Sequence, residues 1–291
     1  MDQHPRHSSF DAVAARIAYV EWGDRGAPAV LLVHATGFHA RVWDQTVANL
    51  PKDLHVIAVD IQGHGRSEKR GPIRDWALPA QDIIELVGHL NLQSAVGVGH
   101  SMGGHTLVQV AATQAQAFKR LVLVDPVIMA PERYDLANAW PADQEHPIAR
   151  RRNHWASWQD MFEAFKDRKP YSLWDPKVLA DYCQHGVVLK HDGSGVELAC
   201  PPSIEASIYT AATGGNIHHL TKQIMIPVDV MRAMQRPAGP RDVTDFSLSP
   251  TWAPLATMFP NGKDIYLPEL THFIPMQDPQ LMARMITEHR N

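Results

Sequence analysis

Two cysteines in 291 residues, Cys183 and Cys200, are too few and too far apart to form a disulfide framework or a Cys-rich metal site, so the fold must stand on its core. Both read as reduced structural thiols. No stretch approaches eighteen consecutive apolar residues, and Met1–His7 shows no apolar run of the kind that leads secretion, so the expected compartment is cytoplasmic and no membrane partner is expected. Excess basic charge is also lacking. With 27 Lys and Arg against 31 Asp and Glu the net charge is −4, which offers no long-range attraction to nucleic acid. The basic triplet Arg150-Arg151-Arg152 reads as a solvated face. Neither Gly63-His64-Gly65 nor Gly97-Val98-Gly99 extends into a phosphate-cradling motif, so no nucleotide cofactor is expected. Histidine is plentiful at 17 residues, but the adjacent pair His218-His219 has no carboxylate or cysteine at ligand spacing. No metal is expected.

What is present is an ordinary globular composition, 45% hydrophobic and 20% charged, long enough for a full domain with an insertion. Its most informative stretch is Gly99-His100-Ser101-Met102-Gly103-Gly104. The apolar run Ser94–Val98 before it suits a buried strand, and Thr106–Ala117 after it suits a helix. A serine between them sits on a tight turn that leaves no room for side chains two residues to either side, and Gly99 and Gly103 meet that need. Ser101 is therefore the candidate nucleophile. The Met102 backbone N–H, at the start of the helix, would point to where an oxyanion forms.

The chain resembles the α/β-hydrolase family over nearly its whole length. Ala29–His34 reads as a strand that runs into His34-Ala35-Thr36-Gly37-Phe38, similar to the family's His-Gly-x oxyanion loop with Ala35 where glycine is usual. Leu54–Asp60 reads as the next strand, and Asp60–Ser67 resembles the family's D-x-x-G-H-G-x-S turn. Asp264–Leu267 reads as a last short strand before Thr271-His272-Phe273-Ile274-Pro275, similar to the loop that carries the catalytic histidine, with a closing helix over Pro279–His289. The resemblance implies an eight-stranded, mostly parallel sheet with flanking helices. It implies a core of residues 1–126 and 222–291, with residues 127–221 inserted as a mainly helical lid.

It also implies site residues. His272 would be the general base, because a serine hydroxyl needs a neutral imidazole to take its proton. Thr36 maps onto the second oxyanion N–H. His34, His64 and His100 would fix the oxyanion loop, the turn and the elbow. The acid stays open. No carboxylate directly follows the seventh strand, Ile226–Arg232. Asp245, in the long loop before Pro250, is slightly preferred over Asp125 at the end of the sixth strand; Asp242 trails them, and Asp229 lies inside a strand. The inserted segment carries Trp140, Trp155, Trp158 and Trp174, four of the eight tryptophans. With Phe38 and Phe273, Trp140 and Trp155 are the candidate pocket walls for a small, largely apolar acyl group. Thr213–His219 reads as a polar hinge. The expected function is a cofactor-independent serine hydrolase acting on a small carboxylic ester or lactone, with a homodimer compatible with the sequence. C–C bond hydrolysis, perhydrolysis, acyl transfer and a non-catalytic ligand receptor are the alternatives on the same scaffold.

Overall fold

A computed structural model describes residues 5–135, 144–211, 215–235 and 245–288. Eight strands form the main sheet: β1 (Arg6–Asp11), β2 (Arg16–Trp22), β3 (Ala29–Val33), β4 (His55–Val59), β5 (Ala95–His100), β6 (Phe118–Val124) and, after a long insertion with three short strands of its own, β10 (Val228–Arg232) and β11 (Gly262–Tyr266). Their order across the sheet is β1-β2-β4-β3-β5-β6-β10-β11. From β4 to β11 all neighbours run parallel, whereas β1 and β2 make an antiparallel hairpin added at the edge.

The inner strands are apolar on both faces because helices cover both faces. Val30, Leu32, Val56, Ala58, Val96 and Val98 enter one core cluster, while the intervening Leu31, Val33, Ile57 and Val59 enter the other. Alternation along each strand thus feeds two cores separated by the sheet. The hairpin is the element that the sequence reading leaves out; its exposed β1 residues carry little of the apolar signal that marks the inner strands.

The insertion contributes helices Trp158–Phe165, Pro176–His185 and Pro202–Thr210 and a three-stranded antiparallel sheet of β7 (His154–Trp155), β8 (Val187–Leu189) and β9 (Val196–Leu198) in the order β7-β9-β8. Such short strands lie below what periodicity can register. Trp155, Met161, Trp174 and Val178 belong to the same apolar cluster as the sheet residues Val30 and Val56, so the insertion shares its core with the sheet. Among the described residues no helix is long and apolar enough to cross a membrane.

Two helices near the site differ in extent from the sequence reading. The one after β5 begins at Met102 and ends at Thr113, because the turn at Ser101 itself starts it; Gly103 and Gly104, poor helix formers by propensity, are held in its first turn by close packing. The closing helix spans Pro279–Thr287, with the Asp278 side chain accepting the Leu281 N–H as its N-cap.

Candidate active site

Ser101 has φ 57° and ψ −116°, a conformation that L-residues avoid, between the end of β5 and the helix. The surrounding packing enforces it. A Cβ on Gly99 would lie 2.4 Å from the Gly103 carbonyl oxygen, and one on Gly103 would lie 2.3 Å from that of Val33. Glycine at both positions lets the strand, the helix and β3 meet closely enough to force the serine outward.

The Ser101 Oγ lies 3.0 Å from His272 Nε2, and His272 Nδ1 lies 2.6 Å from Asp125 Oδ2. With the serine hydroxyl donating to Nε2, the ring proton sits on Nδ1 and is donated to the carboxylate. Asp125 follows β6 with φ 44° and is fully buried. Its second oxygen accepts the Ser249 hydroxyl at 2.5 Å and the Ala233 N–H at 3.1 Å. A buried carboxylate with donors on both oxygens is compensated as a charge and fixed in direction.

The preference for Asp245 over Asp125 is therefore not what the geometry gives. Asp245 lines the cavity and accepts the Ser247 N–H at 2.8 Å, whereas the Ser247 carbonyl accepts the His272 N–H at 2.7 Å. Asp245 thus stands one short loop away from the histidine, and Asp125 holds the histidine itself. The shift is one strand wide, since β6 and β10 are adjacent and the Asp125 N–H donates to the Met231 carbonyl. Asp229 faces Arg120 in a buried ion pair, and Asp242 lies outside the described residues.

Thr36 and Met102, the residues read as the oxyanion donors, are neighbours, the Thr36 hydroxyl lying 3.5 Å from Met102 Sδ. In the loop after β3, the Gly37 N–H donates to His64 Nε2 at 3.0 Å and the Phe38 N–H to the Ala35 carbonyl at 3.2 Å. Among the described residues the Thr36 N–H has no such partner, and Met102, first in its helix, has an N–H that the helix cannot satisfy.

Three histidines brace this arrangement. His34 donates from Nδ1 to the Ala35 carbonyl and accepts the Ile61 N–H at Nε2; His64 bonds the Gln62 carbonyl besides Gly37; His100 Nε2 donates to the His272 carbonyl at 2.8 Å. Burial lowers His34 to about 4 and His64 to about 3, and burial followed by repulsion from His272 lowers His100 well below the ordinary imidazole range. All three are neutral near pH 7, which the acceptor roles of His34 and His64 require. Asp60 anchors the turn below them by accepting the Ala40 and Arg66 N–H groups.

Ser101 and His272 open on a cavity of about 570 Å³. Phe38 and Phe273 line it from the core, and Trp155 lines it from the insertion. Trp174, also in the wall, lies 5.7 Å from Phe38 and 5.3 Å from Phe273 between ring centroids. Trp158 packs against the same cluster behind the wall, and Trp140 lies outside the described residues, as does part of the segment read as a hinge. His218 is buried and bonds the Met129 carbonyl.

One reading needs correction. Arg150 and Arg152 are exposed, the Arg152 guanidinium lying 3.7 Å from the centre of the Trp155 ring, but Arg151 is turned inward to Glu205 at 2.7 Å and Tyr182 Oη at 3.2 Å. Both Arg151 and Arg152 line the cavity, as do Glu205, Tyr171 and Tyr209. Their charge gave no sign of this, because the partner Glu205 lies on a separate helix far along the chain.

The pattern that describes the alpha/beta hydrolase family matches residues 30–285. The chain belongs to this family. Among its relatives, "Lipase LipV" of Mycobacterium tuberculosis is 29% identical over 63% of this chain and 67% of that protein. "Bifunctional esterase/perhydrolase DCH" of Acinetobacter calcoaceticus is 38% identical over 30% of this chain and 32% of that protein, so the chain matches only about a third of it. The E-2-(acetamidomethylene)succinate hydrolase structure superposes with a TM-score of 0.75 at 20% identity, covering 98% of both chains. The enol-lactonase of Burkholderia xenovorans does so with 0.66 at 20% identity, covering 97% of this chain and 98% of its own. These superpositions speak for the alpha/beta hydrolase fold.

Proposed function

We propose that the protein is a serine hydrolase that cleaves a small carboxylic ester or lactone through an acyl-enzyme. The observation that carries this reading is the continuous hydrogen-bonded line from Ser101 through His272 to Asp125 at the floor of an aromatic cavity. In the first half-reaction the Ser101 Oγ attacks the carbonyl carbon while His272 Nε2 takes its proton. The carbonyl electrons move onto oxygen, where the N–H groups of Thr36 and Met102 hold the charge. When the tetrahedral centre collapses, the bond to the leaving oxygen breaks and His272 returns the proton to it. Water, deprotonated by His272, then attacks the acyl-enzyme and regenerates Ser101. Asp125, charged throughout, keeps the imidazole in the required tautomer and stabilises the imidazolium.

In this reading residues 127–221 act as the lid over residues 1–126 and 222–291, with the tryptophans of the insertion closing the acyl side of the cavity. The relative named as an esterase and perhydrolase supports a second use of the same acyl-enzyme, with hydrogen peroxide replacing water as the attacking nucleophile and a peracid as the product. The test is hydrolysis of short-chain p-nitrophenyl esters. Wild type is expected to turn over, and Ser101→Ala to lose about 10⁶-fold in kcat while melting at the same temperature. Residual activity within tenfold of wild type would remove Ser101 from the chemistry.

A further inference from the structure

The cavity above Ser101 has aromatic walls that include Phe38, Phe273 and Trp174, with charged groups set among them. There Arg151, at the end of the turn Pro147–Arg150, meets Glu205 on the helix Pro202–Thr210. The two partners are unequally hidden, with 19% of the Arg151 side chain and 5% of the Glu205 side chain accessible. The guanidinium is also only partly engaged. Nη1 donates to Glu205 and Nη2 to Tyr182, which uses two of its five N–H groups.

The rest of this wall has the same bias toward donors. Arg152 and Arg168, both exposed to solvent, also line it. Against three arginines stand Glu205, spent on Arg151, and Asp245, which accepts the Ser247 N–H. An ion pair that served packing alone would turn both charges from the cavity. Here both partners line the cavity, and the guanidinium is the more accessible of the two.

We propose that Arg151 is a specificity-determining residue that binds a carboxylate of the substrate, so that the enzyme acts on an ester or lactone that itself carries an acidic group. A planar guanidinium offers a carboxylate a pair of parallel N–H donors, and in a cavity with little water such a pair counts for more than at a surface. The ester carbonyl then lies over Ser101 with the apolar stem of the acyl chain against Phe38 and Trp174. The proposal rests on the serine-hydrolase reading for its substrate, but not for the binding event itself.

The experiment therefore has two readouts. Hydrolysis of monomethyl glutarate is compared with that of its neutral amide analogue, methyl glutaramate. Separately, glutarate is titrated calorimetrically into the Ser101→Ala protein. Wild type is expected to favour the anionic ester, and Arg151→Gln to lower the anionic-to-neutral ratio of kcat/KM by about 10- to 100-fold, mainly through KM, with a matching loss of glutarate affinity in the Ser101→Ala background. Glu205→Gln, which removes the competing carboxylate, is expected to bind glutarate at least as tightly as its parent and keeps the test open if Arg151→Gln does not fold. Absence of glutarate binding, or a ratio unchanged by Arg151→Gln, overturns the proposal. Hydrolysis of neither ester with glutarate binding intact overturns the hydrolase reading and leaves the anion site standing.

Discussion

At the scale of single residues, the carboxylate that holds His272 is where the chain's local pattern and its folded geometry part. Asp245 sits in a loop before a proline in the right part of the sequence, and Asp125 looks like a strand-end aspartate before Pro126. Only the folded chain shows Ser249, Ala233 and His272 converging on Asp125 from three separate segments. Asp125→Asn is expected to lower kcat on p-nitrophenyl butyrate by about 10⁴-fold, because an amide in that position favours the wrong histidine tautomer. Asp245→Asn is expected to stay within tenfold of wild type, and the reverse ranking would return Asp245 to the triad. Ser101 and His272, which the fold brings to 3.0 Å, could be singled out because the tight elbow and the loop after the last strand are each written in contiguous residues. Arg151 and Glu205 could not, since a charge reads the same in sequence whether its partner is water or a distant carboxylate.

At the scale of elements, the buried strands β3 to β6 could be read directly from their apolar runs, whereas the β1–β2 hairpin and the small sheet of the insertion could not, being amphipathic or too short. The insertion is where selectivity is expected to sit. Trp155 packs edge-on against Phe165, at 5.3 Å between centroids, and lines the cavity. Trp155→Ala is expected to raise kcat/KM for octanoate relative to acetate esters by about tenfold, at a stability cost of about 3 kcal/mol. A lower melting temperature with an unchanged chain-length profile would make this ring packing alone.

The helix Ala77–His89 offers an independent check of the core. Asp82 is fully buried on its inner face, no donor reaches either carboxylate oxygen among the described residues, and burial followed by repulsion from Glu85 raises its carboxyl to about 7. Its folded form holds a proton that the unfolded chain releases near pH 4, so this group lowers stability as pH rises from about 4 to about 7. Asp82→Leu is expected to stabilise the protein by about 1–3 kcal/mol at pH 8, with the gain shrinking as pH falls toward 4. A constant gain across that range would place the effect in packing and not in charge.

For the molecule as a whole, the buried histidines set the response to acid. Burial lowers His34, His105 and His185 to about 4 and His64 to about 3, and it holds His39 and His100 well below the ordinary range. Between about pH 6.5 and 4 the unfolded chain binds protons at these sites that the folded chain refuses, so stability falls as pH falls through that window. Asp44, Asp60, Asp82 and Asp181, raised chiefly by burial, act in the opposite sense. The six histidines outnumber them, and a net loss of stability is expected between pH 6.5 and 4.5 in denaturant melts. A flat profile would mean that the histidines bracing the oxyanion loop are hydrated in solution.

The central claim is that Ser101 is a nucleophile activated by His272 and Asp125. It is tested most directly by treating the intact protein with a fluorophosphonate and locating the adduct by peptide mass spectrometry. One equivalent is expected, on Ser101, with labelling slowed by orders of magnitude in His272→Ala. An adduct elsewhere, no adduct, or labelling at an unchanged rate without His272 would contradict it.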